Sequence, residues 1–311
     1  MEVNKMKELK VCWISAGVSS FMAGVLAGDV DEWIYIDIDD QHRDSIRFIK
    51  DCEKAIGKKI KILKSPEYSS VEECIKTAGM FKNPNNNFAP CTNWLKKRVR
   101  KNWEKEHENY NLTYIWGYDL TEQRRMERMI EANPQARHIF PLIEKGLNKQ
   151  EVHGLFRRMY DFDIPEMYRL GYPNNNCIRC VKGGMGYWNK IRKDFPEVFR
   201  QRAELERKIG YSMLKDKKGN RIFLDELDPN RGDMNTEILP DCGFMCYFAE
   251  LEQEEKGEKE ITGDRNFIIL WQQWTVLEVY EHHVLMRSEK GYKESFTKEE
   301  IKKLIREGGI K

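Results

Sequence analysis

At 311 residues, with 40% hydrophobic and 33% charged residues, the chain has the composition of a globular protein long enough for one large α/β domain plus a smaller one. A net charge of +2 makes no demand for nucleic acid or an acidic surface. The longest apolar stretch near the end, Phe267 to Trp271, is far shorter than a membrane span, and no apolar signal region follows the charged segment Met1 to Lys10. These features predict a cytoplasmic protein without a membrane partner.

Lys10 to Ile14 reads as the first strand, followed by a small-residue turn and a helix from Ser20 to Ala27. Trp33 to Ile38 is a second strand ended by Asp39-Asp40. Ile46, Ile49, Cys52 and Ile56 then fall at helical spacing within Arg43 to Ile56, and Gly57 stops that helix. Lys59 to Leu63 and Leu112 to Trp116 are a third and a fourth strand. Strands alternating with helices predict a doubly wound parallel sheet.

Between the last two strands, Asn83 to Pro90 reads as an exposed loop, and Thr92 to Lys105 as a basic helix. The basic clusters at Lys96 to Lys101, Arg124 to Arg128 and Lys190 to Lys193 read as solvated helix faces. The pattern changes after Leu147. A boundary there separates an α/β domain, residues 1–147, from a helical and cysteine-rich region, 148–311. That region opens with a helix from Asn148 to Tyr160 and an irregular Gly/Asn/Cys-rich segment from Tyr172 to Gly186. A hairpin follows around Lys217-Lys218-Gly219-Asn220, then a charged connection from Glu250 to Asp264. Thr297 with Glu300 forms a capping box for a terminal helix ending at Gly308. Trp271 to Tyr280 reads as core of this region. His42 reads as an exposed loop residue, and the pair His282-His283 as packing or facing solvent, rather than as ligands.

Ser15-Ala16-Gly17-Val18-Ser19-Ser20 lies between the first strand and the first helix. A helix N-terminus presents unsatisfied N–H groups and the positive end of the helix dipole to an anion. Gly17 lets the backbone approach a ligand, and the Ser15, Ser19 and Ser20 hydroxyls can donate to phosphate oxygens. A plain strand-to-helix turn capped by serine fits the same letters.

Residues 15–20 match Ser-x-Gly-x-x-Ser, the fingerprint of the PP-loop ATP pyrophosphatases and phosphoadenylyl-sulfate (PAPS) reductases, and the chain resembles that superfamily in further ordered blocks. Trp33-Ile-Tyr-Ile-Asp37 through Arg47-Phe48-Ile49 is similar to the reductases' second strand and helix. Tyr114-Ile115-Trp116-Gly117-Tyr118 with Glu122, Arg125 and Arg128 is similar to the strand, glycine and Glu/Arg helix start that face the nucleotide. Phe140-Pro141-Leu142, Tyr168 and Gly171-Tyr172 complete the series, so that the resemblance runs from about residue 10 to 182.

The resemblance implies a Rossmann-like (HUP-type) doubly wound α/β sheet with a cysteine-rich C-terminal extension. It also implies that Ser15, Ala16, Gly17, Val18, Ser19 and Ser20 hold the phosphates of an adenine nucleotide, either ATP or an adenylyl sulfate (PAPS or APS). Asp37 and Gly117 would then lie at the nucleotide edge, with Glu122, Arg125 and Arg128 orienting the anion. Ser19 stands where the ATP pyrophosphatases carry an aspartate for magnesium, which leans toward the reductase branch.

Three readings fit the grouped cysteines. Cys177-x-x-Cys180 and Cys242-x-x-x-Cys246 have the spacing of a zinc or iron–sulfur site. Asp241-Cys242-Gly243-Phe244 resembles the reductases' catalytic Glu-Cys-Gly-Leu-His, which would make the Cys242 thiolate a nucleophile toward sulfur, although Met245 and Cys246 replace the histidine. Buried thiols packing as small hydrophobes are the third. Pro90-Cys91-Thr92 with Leu95-Lys96 is similar to a segment of the DNA-phosphorothioation members, where Cys91, Cys177 and Cys180 would ligate a cluster.

The expectation is therefore a PAPS reductase-like enzyme with a nucleotide substrate and a thiol reductant. ATP-dependent sulfur transfer to a nucleic-acid acceptor and a non-catalytic nucleotide-binding module are the alternatives.

Overall fold

The computed structural model describes residues 7–82, 89–132, 134, 136–234, 236–237, 266–269, 272–288 and 291–301. The expected loop Asn83 to Pro90 lies mostly outside these residues. The connection Glu250 to Asp264, Cys242, Cys246 and Gly308 lie outside them entirely. Among the described residues, 7–71 and 91–178 form one compact unit, and those from 72 to 90 and beyond 178 form another.

The first unit is built on β1 (Lys7–Ile14), α1 (Val18–Ala27), β2 (Glu32–Ile36), α2 (Asp44–Ile56) and β3 (Ile60–Leu63). Along the chain α3 (Val71–Ala78) follows, which but for Val71 belongs to the second unit, and then α4 (Pro90–Thr92), a π-helical segment (Asn93–Lys97) and α5 (Arg98–Glu106). Next come β4 (Tyr110–Ile115), a 3₁₀ turn (Leu120–Glu122), α6 (Gln123–Ala132) and β5 (Arg137–Ile139), then α7 (Pro141–Glu144), α8 (Lys149–Met159) and α9 (Glu166–Arg169). The sheet is wholly parallel, in the order β3-β2-β1-β4-β5. The predicted α/β class and parallel sheet are observed. β5, only three residues long, carries too short a pattern to be read from sequence.

Alternation along β1 sends its side chains to opposite faces. Cys12 and Ile14 join a core with Phe21 and Met22 of α1, Phe48 and Cys52 of α2, and Val152 and Phe156 of α8. Trp13 points the other way and meets Trp103 of α5 edge-on at 5.5 Å. Helices therefore cover both faces, the condition that lets β1 be apolar throughout its buried half. Gly24 lets α1 lie close to the sheet, because a Cβ there would come within 2.3 Å of the Trp33 ring.

The second unit contains α10 (Met185–Asp194) and α11 (Pro196–Ile209), a short hairpin of β6 (Leu214–Lys215) and β7 (Arg221–Ile222), and an antiparallel sheet. The sheet comprises β8 (Asn266–Ile269), β9 (Gln272–Val279), β10 (His283–Ser288) and β11 (Lys293–Thr297), each paired with the next. Fully buried Glu206 accepts from the Met213 and Leu224 amides at 2.6 Å each and ties the flanks of the hairpin to α11. The expected hairpin is present, and so is the capping box: the Thr297 amide donates to Glu300 and the Glu300 amide to the Thr297 hydroxyl.

Candidate functional site

The strand order reverses between β1 and β4, and in open α/β sheets ligands bind outside the carboxyl ends of the strands at that reversal. Both strand ends carry residues singled out in the sequence. After β1 the chain turns through Ser15, Ala16 and Gly17 into α1, and after β4 it passes through Trp116 and Gly117. Gly117 rests on the first turn of α1: a Cβ there would lie 2.5 Å from Ser20 Cα and 2.6 Å from Ser20 N. Only a glycine admits that approach.

Ala16 has φ of 54°, the single positive value outside glycine among the described residues, and it is fully buried. An alanine there gives up about 1–2 kcal/mol relative to the right-handed region. Gly17, extended at φ −113°, is the N-cap of α1, and no side chain caps the helix. The serine-cap reading of this turn is therefore not what forms, and no side chain accepts from the first amides of α1.

The three serines differ. The Ser20 hydroxyl donates to the Gly17 carbonyl at 2.9 Å and accepts from the Ser15 amide at 3.0 Å. It braces the loop from within. Ser15 is exposed, with its hydroxyl 3.1 Å from that of Ser20, and Ser19 is half-buried. Val18 is buried in the core beneath.

Residues distant in sequence flank the loop. The Tyr168 hydroxyl lies 3.1 Å from where a Cβ on Gly17 would stand. His153 meets the Tyr168 ring edge-on at 4.9 Å, and the Lys149 ammonium lies 5.9 Å from its centre. Burial, helped by the Lys149 and Arg157 cations, pushes the His153 imidazole down to about 4, so it is neutral at pH 7. The sequence marked Tyr168 through its block but gave no local signal for Lys149 or His153.

Asp37 follows β2 and pairs with Lys64 at 2.9 Å. Beside it the buried Tyr35 phenol bonds Gln41, and burial together with the Asp37 carboxylate pushes that phenol up. Cys177, 9% exposed, adds to the same shift, which places it near Tyr35. Arg47 of the second resembling block is structural: it pairs with Asp44 and Asp51 and donates to the Asp163 and Ile164 carbonyls. His42 accepts from the Asp44 amide at 3.2 Å at the start of α2.

The Glu/Arg group is drawn together, but on itself. Asp119 and Glu122 form a capping box, Arg125 bonds Glu122 at 2.7 Å, and its guanidinium lies 4.4 Å from the Tyr118 ring centre. Arg128 is exposed. Of the basic cluster Lys96 to Lys101, Lys97 and Arg100 are each 4% exposed, against the solvated face expected, whereas Arg98 and Lys101 are exposed.

Cys91, Cys177 and Cys180 are buried, and among the described residues no three His, Cys, Asp or Glu side chains are gathered as a metal ion requires. Cys242 and Cys246, the other two positions of the expected zinc or iron–sulfur site, lie outside those residues. No helix among the described residues is long and apolar enough to cross a membrane. Compared with known families and curated proteins, the chain matches no family model and no curated sequence.

Proposed function

We propose that the chain binds an adenine nucleotide, ATP or an adenylyl sulfate, with its phosphates on the Ser15–Ser20 loop, and acts on it as a PAPS reductase-like enzyme. The observation that carries this reading is the uncapped N-terminus of α1 at the reversal of strand order, with Gly117 pressed against its first turn. The Ala16 and Gly17 carbonyls, which would repel an anion, accept protein donors instead: Asn175 Nδ2 on the first, the Ser20 hydroxyl and Phe21 amide on the second. Exposed Ser15 and half-buried Ser19 add hydroxyl donors at the rim.

Glu122 and Arg125, already paired, would meet the anion as a neutral couple, and exposed Arg128 would add a cation to it. Sulfonucleotide reduction needs a thiolate and an external thiol reductant, and Cys242 is the residue assigned that attack. Sulfur transfer to nucleic acid is the weaker alternative, because the inward turn of Lys97 and Arg100 removes cations from the basic helix.

Calorimetric titration with ATP and with adenylyl sulfate in metal-free buffer tests the site. Ser19→Asp adds a carboxylate to the first turn of α1, where it favours the helix but repels a phosphate. The expected outcome is binding to the native chain and a loss of at least tenfold in the variant. Equal affinity in both proteins removes the loop from the reading. Binding without turnover of either nucleotide leaves a nucleotide-binding module.

A further inference from the structure

Asn175 is 159 positions from Ala16 in sequence, yet its Nδ2 donates to the Ala16 carbonyl at 2.7 Å and to the Ser45 hydroxyl at 3.0 Å. Asn175 is 9% exposed and Ser45, in the first turn of α2, is 1% exposed. The acceptor end, Oδ1, is buried with no hydrogen-bond partner among the described residues. The orientation of the amide follows: its donor end is committed to the loop, and a carboxylate in its place would set two acceptors against each other at Ala16.

Ala16 holds the costly conformation of this loop, with φ of 54°. Ser20 braces the loop at Ser15 and Gly17, on either side of Ala16. The Ala16 carbonyl itself is held by Asn175. Turning Ala16 out of the left-handed region would rotate the peptide that follows it, and with it the amides presented to an anion.

We infer that Asn175 is the positioning residue of the anion loop: it locks Ala16 in the left-handed conformation and so aims the amides at the start of α1 toward phosphate oxygens. This rests on the reading of the loop as the phosphate site. Asn175 touches the loop rather than the ligand, so its effect falls on the affinity for the polyphosphate.

A double-mutant cycle with Asn175→Ala and Ala16→Gly tests the coupling, because glycine takes a positive φ without the alanine penalty. Titrations use ATP and inorganic pyrophosphate. Asn175→Ala is expected to weaken both by about tenfold, the size of the left-handed penalty it leaves unsupported. Ala16→Gly in that background is expected to recover most of the loss, which a merely destabilised fold would not do. An unchanged pyrophosphate affinity in Asn175→Ala, or a loss that Ala16→Gly leaves in place, overturns the inference.

If the native chain binds neither probe, the phosphate-site reading fails separately. Amide hydrogen exchange over residues 15–21 still decides the role of Asn175. Faster exchange in Asn175→Ala, reversed in the double variant, supports the lock; exchange unaltered by Asn175→Ala overturns it.

Discussion

Single residues in this chain carry costs that only their surroundings explain. His283, at the start of β10, is fully buried, and neither ring nitrogen has a hydrogen-bond partner among the described residues. Burial, with the Arg221 cation as the next cause, pushes its imidazole down to about 3, well below the unfolded value of about 6.5. The unfolded chain therefore takes up the proton first. Stability is unaffected by this residue above about pH 6.5 and falls as the pH drops from there toward 3, by about 1.4 kcal/mol per pH unit. Urea unfolding of the native chain and of His283→Phe between pH 7 and pH 4 checks this: the acid slope is expected to shrink in the variant, and identical slopes would remove His283 as its source. In the sequence, His282-His283 read as packing or facing solvent, and His283 packs; its unpartnered nitrogens were not legible, because they depend on which strands close over it. Ala16 is the same case in the first unit. The Ser-x-Gly-x-x-Ser spacing marked the loop, but a left-handed alanine has no signature of its own and forms where Asn175 and Ser20 hold the backbone.

At the scale of elements, local capping chemistry fixes where several helical turns begin. The Asn148 side chain accepts from the Glu151 amide at 3.1 Å and Glu151 reaches back to the Asn148 amide at 2.8 Å, which starts α8 at the position read from sequence. Asn148→Ala is expected to cost about 1 kcal/mol, read as a lower denaturation midpoint at unchanged slope. A shift below a third of that would mean the packing of Val152 and Phe156 fixes the helix without its cap. The same motif recurs where Asp119 caps a helical turn with Glu122, and Arg125, which the resemblance set against the nucleotide together with Glu122, closes on that carboxylate. The basic stretch after Cys91 shows the opposite limit. Charge pattern suggested a solvated face; Arg98 and Lys101 are exposed, whereas Lys97, at the end of the π segment, and Arg100 are buried.

For the molecule as a whole, the aromatic cluster between the first helix and its neighbours sets how the first unit closes. Phe21 meets Phe48 at 6.2 Å, Phe156 at 6.1 Å and Tyr160 at 5.2 Å, joining α1, α2 and α8 over β1. Phe21→Ala is expected to cost about 3–5 kcal/mol through lost burial and the cavity left behind. A loss under about 1 kcal/mol in chemical unfolding would show that the cluster collapses to fill the space. The sequence by itself determined the class and much of the order. Apolar runs of strand length, helical periodicity and glycine stops are local signals, and they marked four of the five strands of the parallel sheet and the loop at the end of β1. Tertiary structure decided where β1 and β4 meet, that Gly117 presses on α1, and that Asn175, Tyr168 and Lys149 gather round a loop 130 to 160 positions away. The physical reason is that strand order, a close backbone approach and a buried amide bond are set by burying apolar faces together, and a linear pattern does not encode which distant segment will fill the space beside it.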